Sequence, residues 1–303
     1  SKRYGRFEPE RHYPNAGLEP ANLHPDVKLR TFWTRTGRKQ MLFMGKNRFE
    51  REIEKMLLTD NQPKFYGRRQ GRKLRKAKST LLDTFLPQVI ISPHTEFNKD
   101  TLFGHPVEKI CLEIGFGNGE HIAGQALNNP NFGFIGAEVF KNGIASLLGL
   151  LTGIKEGSDL PEKITLLSGR KDNVRIFDND IRLLFSHIPD GFVDRVFVLF
   201  PDPWPKKRHA FRRFVNPDNL KEISRILKKG GTLRIATDHK IYKGWALRQT
   251  CNFTDEKGEK VFRWTAKCSN DWRLPPKDWV ETKYQRKALA EVRKPVFLDF
   301  EKI

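Results

Sequence analysis

The sequence predicts an α/β protein built on a parallel, doubly wound sheet. Three observations predict it. From Glu108 onward, short apolar runs alternate with helical patterns, as strands joined by crossover helices do. The first apolar run ends in a glycine-rich turn, Gly115-Phe-Gly-Asn-Gly119. The second ends in an acid, Glu138.

The elements follow in order. KICLEIGF is a short strand that runs into the glycines, and HIAGQALNN is helix-like. FGFIGAEV is the second strand, followed by the helix NGIASLLGLLTGIKEG. ITLLSG is a loop, NVRIFDND a strand and IRLLFSHI a further helix. VDRVFVLF is the most apolar strand and ends in a proline-rich loop. NLKEISRILKKGG reads as a helix with a glycine stop. TLRIATD is a strand, and FRWTAK and VRKPVFLDFEKI are late strands.

Three regions precede or contain these elements. Residues 1–60 are polar, carry Pro9, Pro14, Pro20 and Pro25, and read as linker or disorder. One helix is expected there, Asn47 to Leu58, with Phe49, Ile53, Met56 and Leu57 at helical spacing. All three methionines, Met41, Met44 and Met56, lie in this stretch. The native chain is therefore expected to start at one of them. Residues 61–95 form a basic arm and lead-in helix. The arm, Lys64 to Lys78, has no acid and carries Phe65 and Tyr66, with Leu81, Leu82, Phe85 and Leu86 following. Residues 96–303 form the main domain.

The formal net charge is +20. Excess of that size speaks of partners. A polyanion is the natural one, because neutralising phosphates releases counterions. A membrane surface would want a basic amphipathic helix with an apolar face, and none is apparent. No apolar run reaches the roughly 20 residues that span a bilayer, so a cytoplasmic protein is expected. The three cysteines, Cys111, Cys251 and Cys268, form no CxxC pair. Reduced thiols and no metal site are expected.

Gly115, Gly117 and Gly119 follow a strand and precede a helix, where glycine lets backbone approach a ligand. The spacing is GxGxG. Glu138, at the tip of the second strand, is placed to accept from ribose hydroxyls. Glu113, before the glycines, suits a positively charged ligand. A sulfonium and an ammonium meet that need better than a pyrophosphate, which prefers backbone N–H groups. The balance favours S-adenosylmethionine over NAD. Asp180 could meet an adenine amino group. Asn179 could do the same, and either could instead cap the following helix.

The most informative segment is Leu199-Phe-Pro-Asp-Pro-Trp-Pro-Lys-Lys-Arg-His-Ala-Phe-Arg-Arg213. A strand delivers Asp202 at its C-terminal edge, the ligand-binding edge of open α/β sheets. Pro201, Pro203 and Pro205 stiffen the loop. Lys206, Lys207, Arg208, Arg212 and Arg213 make a phosphate-binding strip. His209 reads as a phosphate contact or plain surface.

The glycine loop, GAE, FPDPWPKKRH, ATDH and TKYQ occur in an order that resembles the bacterial tRNA (guanine-N7)-methyltransferase family, over about residues 62–303. The resemblance implies a Rossmann-like class I methyltransferase fold, a mostly parallel seven-stranded sheet with one antiparallel strand. It implies S-adenosyl-L-methionine as donor and the variable-loop guanosine of tRNA, position 46, as acceptor. It puts Glu113, Glu138, Asp180 and Asp202 at the donor site, with Asp202 catalytic. Lys206, Asp238 and the stretch Thr282, Lys283, Tyr284 and Gln285 would contact substrate. Arg208, Arg212 and Arg213 would lie along RNA. The family's last motif usually reads TKFE, so Gln285 loses a charge. A monomer or homodimer is expected. The competing readings are a methyltransferase of another RNA or base atom, a tRNA binder without catalysis, and an NAD-dependent oxidoreductase.

Overall fold

The computed structural model describes residues 63–303 apart from Ser158, and two strands before them. The chain divides into two units, Ser1–Gln62 and Pro63–Ile303. In the first, β1 (Leu29–Trp33) and β2 (Lys39–Phe43) pair antiparallel. The helix expected at Asn47 to Leu58 lies outside the described residues.

The second unit opens with the arm and two helices, α1 (Lys76–Thr84) and α2 (Leu86–Val89). There follow β3 (Lys109–Ile114), α3 (Glu120–Asn128), β4 (Phe132–Ala137), α4 (Lys141–Thr152) and β5 (Val174–Phe177). β6 (Val193–Leu199), α5 (Pro217–Ile226), β7 (Leu227–Thr237) and α6 (Lys240–Asn252) continue the alternation. The chain closes with β8 (Phe262–Trp264), α7 (Asn270–Arg273), α8 (Lys283–Ala290) and β9 (Val296–Lys302). The sheet order is β5-β4-β3-β6-β7-β9-β8. β3 to β7 pair in parallel, and β9 runs antiparallel to both its neighbours. This is the class I methyltransferase arrangement.

Strand pleating sorts the core into two layers. Ile110, Leu112 and Ile114 of β3 and Val196 and Val198 of β6 face one side. Cys111, Phe134, Phe197 and Leu199 face the other, against Ile122 of α3 and Ile144, Leu147 and Leu148 of α4. Period-two side-chain alternation dictates that division. Burial pushes the Cys111 thiol up to about 12, as expected of an inert core cysteine.

Two expectations are corrected. IRLLFSHI does not form an α-helix but two successive 3-10 turns, Ile181–Leu183 and Phe185–His187. Pro189 follows at once, and a segment this short does not offset helix nucleation. Ile181, Leu184, Phe185 and Ile188 are still buried. The helix read as NLKEISRILKKGG stops at Ile226. Asn216 caps it by accepting from the Asn219 N–H at 2.9 Å, worth about 1 kcal/mol. Leu227 then turns extended, and Lys228 to Gly231 form an irregular start to β7, with a register shift against β6. Lys228 pairs there with Asp194 at 2.8 Å.

Candidate active site

The order of strands reverses between β3 and β6, so the loops after them part. Ligands bind at the carboxyl edge of such a switch point. A cavity of about 590 Å³ opens there, and Ile114, Gly115, Gly117, Ala137, Glu138 and Val198 to Asp202 line its floor. A smaller cavity, about 370 Å³ and lined by Lys99, His105 and Glu108, lies toward the opposite end of the strands, where Glu108 precedes β3.

The glycine loop is built for close approach. Gly115 has φ +71°, and a Cβ there would meet nothing within 4 Å. It faces open cavity. Gly117 has φ +59°, and a Cβ would come 2.8 Å from the Tyr284 ring. Gly119 begins α3 against Leu147 and does not line the cavity.

Glu138 holds the loop. Its Oε2 accepts the Gly117 N–H at 2.8 Å, and its Oε1 accepts those of Val139 and Phe140 at 2.8 and 2.9 Å. Burial raises its carboxyl above the usual range, opposed by these N–H groups. Oε2 has one described donor, which leaves a lone pair for a ligand hydroxyl.

Glu113 behaves differently. It shares the strand face of Cys111, opposite Phe197 in register. Its carboxylate meets His121 Nδ1 at 2.8 Å, both groups being buried, and it is absent from the cavity wall. The His121 ring packs on Trp279, with centroids 5.1 Å apart. The sequence signal for this pairing was the strand alternation together with a histidine inside α3.

Asp180 and Asn179 both line the cavity. Asp180 caps the first 3-10 turn through the Arg182 N–H and also binds the Arg182 guanidinium, at 2.6 Å from Nη2. Asn179 Oδ1 accepts from Arg69 of the arm at 3.0 Å. Arg182 also donates to the Lys64 carbonyl at 3.1 Å. The arm thus borders the cavity with Lys64, Phe65, Tyr66, Gly67 and Arg68.

The proline loop supplies Asp202. Phe200 and Trp204 on either side of it have φ +49° and +39°, uncommon for bulky residues and costing about 1–3 kcal/mol each. Arg213 holds this shape. It is 4% exposed, and donates from Nε to the Pro203 carbonyl and from Nη2 to that of Trp204, both at 3.0 Å. Its guanidinium stacks 4.6 Å from the Trp245 ring. The sequence placed Arg213 on a surface strip; the structure buries it under the loop, because two turned-in carbonyls need a forked donor. Asp202 itself is open to the cavity, and no described group pairs with it. Partial burial raises its carboxyl. Lys206 and Arg208 are exposed just beyond, and Arg212 lines the cavity.

Of the last motif, only Tyr284 reaches the cavity. Burial raises its hydroxyl first, and the nearby Glu138 and Asp202 charges add to this. Thr282 caps α8 by accepting from the Gln285 N–H at 3.1 Å. Gln285 is buried, and its Oε1 accepts the Trp279 indole N–H. Lys283 is exposed. Asp238 does not line the cavity either; it pairs with Arg293. The sequence reading missed Arg182, Arg293 and Trp279, which also reach segments far along the chain: the Lys64 carbonyl, Asp238 and His121.

The family model described as "Putative methyltransferase" matches residues 107–295. A tRNA (guanine-N(7)-)-methyltransferase of Rhodospirillum rubrum is 41% identical over 244 residues, covering 78% of this chain and 87% of that protein. A relative of the same name in Paramagnetospirillum magneticum is 42% identical, covering 78% and 91%. Another, in Azorhizobium caulinodans, is 40% identical, covering 81% and 97%. Matched over most of their length, these relatives show that the chain belongs to the tRNA (guanine-N(7)-)-methyltransferase family.

Proposed function

We propose that this chain transfers a methyl group from S-adenosylmethionine to guanine N7 in tRNA, at the variable-loop guanosine 46. The observation that carries it is Asp202. A carboxylate with no partner among the described residues stands at the edge of β6, in the same cavity as the glycine loop and Glu138. The named relatives and the +20 charge support RNA as the acceptor.

The residues fit the donor. Gly115 offers a cradle that a Cβ would fill. Glu138 keeps a lone pair for a ribose hydroxyl, and Asn179 and Asp180, which line the same cavity, would be the residues to hold the adenine. A cavity of about 590 Å³ is within the range of ligand sites. Bound S-adenosylmethionine supplies an electrophilic methyl on a sulfonium.

Guanine N7 has a lone pair and no proton, so the transfer needs no obligatory base. The residues contribute alignment and charge stabilisation. Asp202 is ionised in the active form. Its free oxygens accept from the guanine N1–H and N2–H₂ edge, or face the positive charge that grows on the base. Arg213 fixes the loop and so the position of Asp202. His209 is given no proton-shuttling role, because guanine N7 carries no proton to remove.

The reaction belongs in the cytoplasm, where its RNA is matured, and the chain acts as a monomer or homodimer. Among the described residues no helix is long and apolar enough to cross a membrane. The test is methyl transfer to bulk tRNA followed by nucleoside analysis and mapping of the site. 7-Methylguanosine in the variable loop is expected. Its absence overturns the proposal.

A further inference from the structure

The arm and the proline loop meet in a cluster of rings and cations beside Asp202. Tyr66 packs edge-on against Trp204 and Phe211, with centroids 6.3 and 5.8 Å away. The Arg212 guanidinium stacks on all three rings, 4.5 Å from Tyr66, 4.9 Å from Trp204 and 5.4 Å from Phe211. Its Nε is buried and has no hydrogen-bond partner among the described residues. All four residues line the cavity that contains Asp202. Yet Phe211 remains 65% exposed.

Phe211 is not a lone exposed ring: through Tyr66 it joins Trp204 along the rim of the cavity that holds Asp202. The chemistry around it selects the occupant. A protein partner would need a contiguous apolar patch. Here the rings alternate with cations: Lys64 and Arg68 on the arm, Lys206, Lys207 and Arg208 on the loop. Rings interleaved with fixed positive charge suit a polymer with flat π-faces and phosphates, which is unstacked nucleic acid. The stacked Arg212 already holds the rings in place through cation–π contact, so little order is lost when a base lands on them. Enzymes that modify a base draw it out of its stack, and a neighbouring base then needs a new face.

We infer that Phe211, Tyr66, Trp204 and Arg212 form a stacking shelf for a nucleobase of the RNA, adjacent to the one presented to Asp202. The inference rests on the RNA methylation reading above. It makes the arm part of the substrate site, because Tyr66 closes one side of the shelf.

The test compares Phe211→Ala and Phe211→Trp with the wild-type chain. tRNA affinity is measured over a range of salt, and S-adenosylmethionine affinity by calorimetry. Phe211→Ala should weaken tRNA binding about 10-fold, the usual scale for one lost base stack. The salt slope should stay unchanged, because no phosphate contact is removed. Donor affinity should not move, and Phe211→Trp should restore tRNA binding. Wild-type tRNA affinity in Phe211→Ala overturns the shelf. A matching loss of donor affinity also overturns it, since the cluster would then only latch the arm over the donor site. Failure of the wild-type chain to methylate tRNA would instead sink the parent reading.

Discussion

Replacing Arg213 with methionine separates a buried loop clamp from a phosphate contact. The variant keeps an apolar stem against Trp245 but removes the two 3.0 Å bonds to the Pro203 and Trp204 carbonyls. Each carbonyl left unpaired costs about 1–3 kcal/mol. Both are only partly buried, so the lower end applies and the sum is about 2–3 kcal/mol. In a unit running from Pro63 to Ile303, each kcal/mol lowers Tm by about 2–4 °C. A fall of about 4–12 °C by calorimetry is expected. Activity should suffer more. Phe200 and Trp204 are held at positive φ, and the freed loop relaxes toward ordinary backbone. A displacement of about 1 Å at the reacting group costs about 100-fold, and kcat should fall on that scale. tRNA binding should keep its salt slope. Loss of a surface arginine from a phosphate would instead reduce that slope by about 0.7–0.9. A variant with normal kcat and normal Tm, but a shallower slope, would falsify the clamp.

Other perturbations follow from the same geometry. Asp202→Asn should abolish transfer while tRNA binding survives. Because burial raises this carboxyl, activity should fall as pH drops through an apparent pKa above the ordinary aspartate value. The folded chain then holds that proton more tightly than the unfolded one, so the ionised group costs stability at neutral pH. Asp202→Asn should therefore unfold at slightly higher denaturant than wild type at pH 7, with the gap closing in acid; a lower midpoint at pH 7 would contradict this. Gly115→Ala meets no protein atom, so it should lose only about 1–2 kcal/mol from its left-handed backbone. Titration calorimetry should nonetheless show S-adenosylmethionine affinity reduced 10-fold or more, and an unchanged affinity would remove Gly115 from the donor cradle. Val292 has φ +57° and is 86% exposed, a poor conformation for a β-branched residue. Val292→Gly should raise stability by about 1 kcal/mol, read by chemical denaturation.

The centre of the sheet was legible because β3, β4 and β6 are compact apolar runs, and the glycine turn and Asp202 loop sit at strand ends where chain order alone locates them. Glu113 was half legible. Its place beside the glycines was clear, but its direction depends on pleat parity, and Cys111 on the same face points both into the α3 layer. Arg212 and Arg213 are adjacent in the same basic segment, and nothing in composition tells a buried clamp from a stacking cation. Only the turned-in carbonyls and Trp245 separate them. Gln285 looked like a lost charge in a substrate motif. In the fold it is an acceptor for Trp279, a task that an amide oxygen performs without the cost of burying a carboxylate. The turns at Ile181 to His187 escaped because 3-10 and α spacing bury nearly the same residues over one or two turns.

The way the arm is fastened has its own consequence. Asn142 accepts from the Gly71 N–H at 2.8 Å and donates to the Arg72 carbonyl at 2.8 Å, while the Lys141 N–H reaches the Arg69 carbonyl at 3.0 Å. These grips take hold of main chain, which every residue type except proline presents in the same form. Apart from Arg69, whose guanidinium reaches Asn179, and Arg75, which pairs with Glu156, the identities of the arm's basic residues are thereby left to drift. A lineage could rewrite the arm's lettering to suit a different set of RNAs and never loosen its binding to the page.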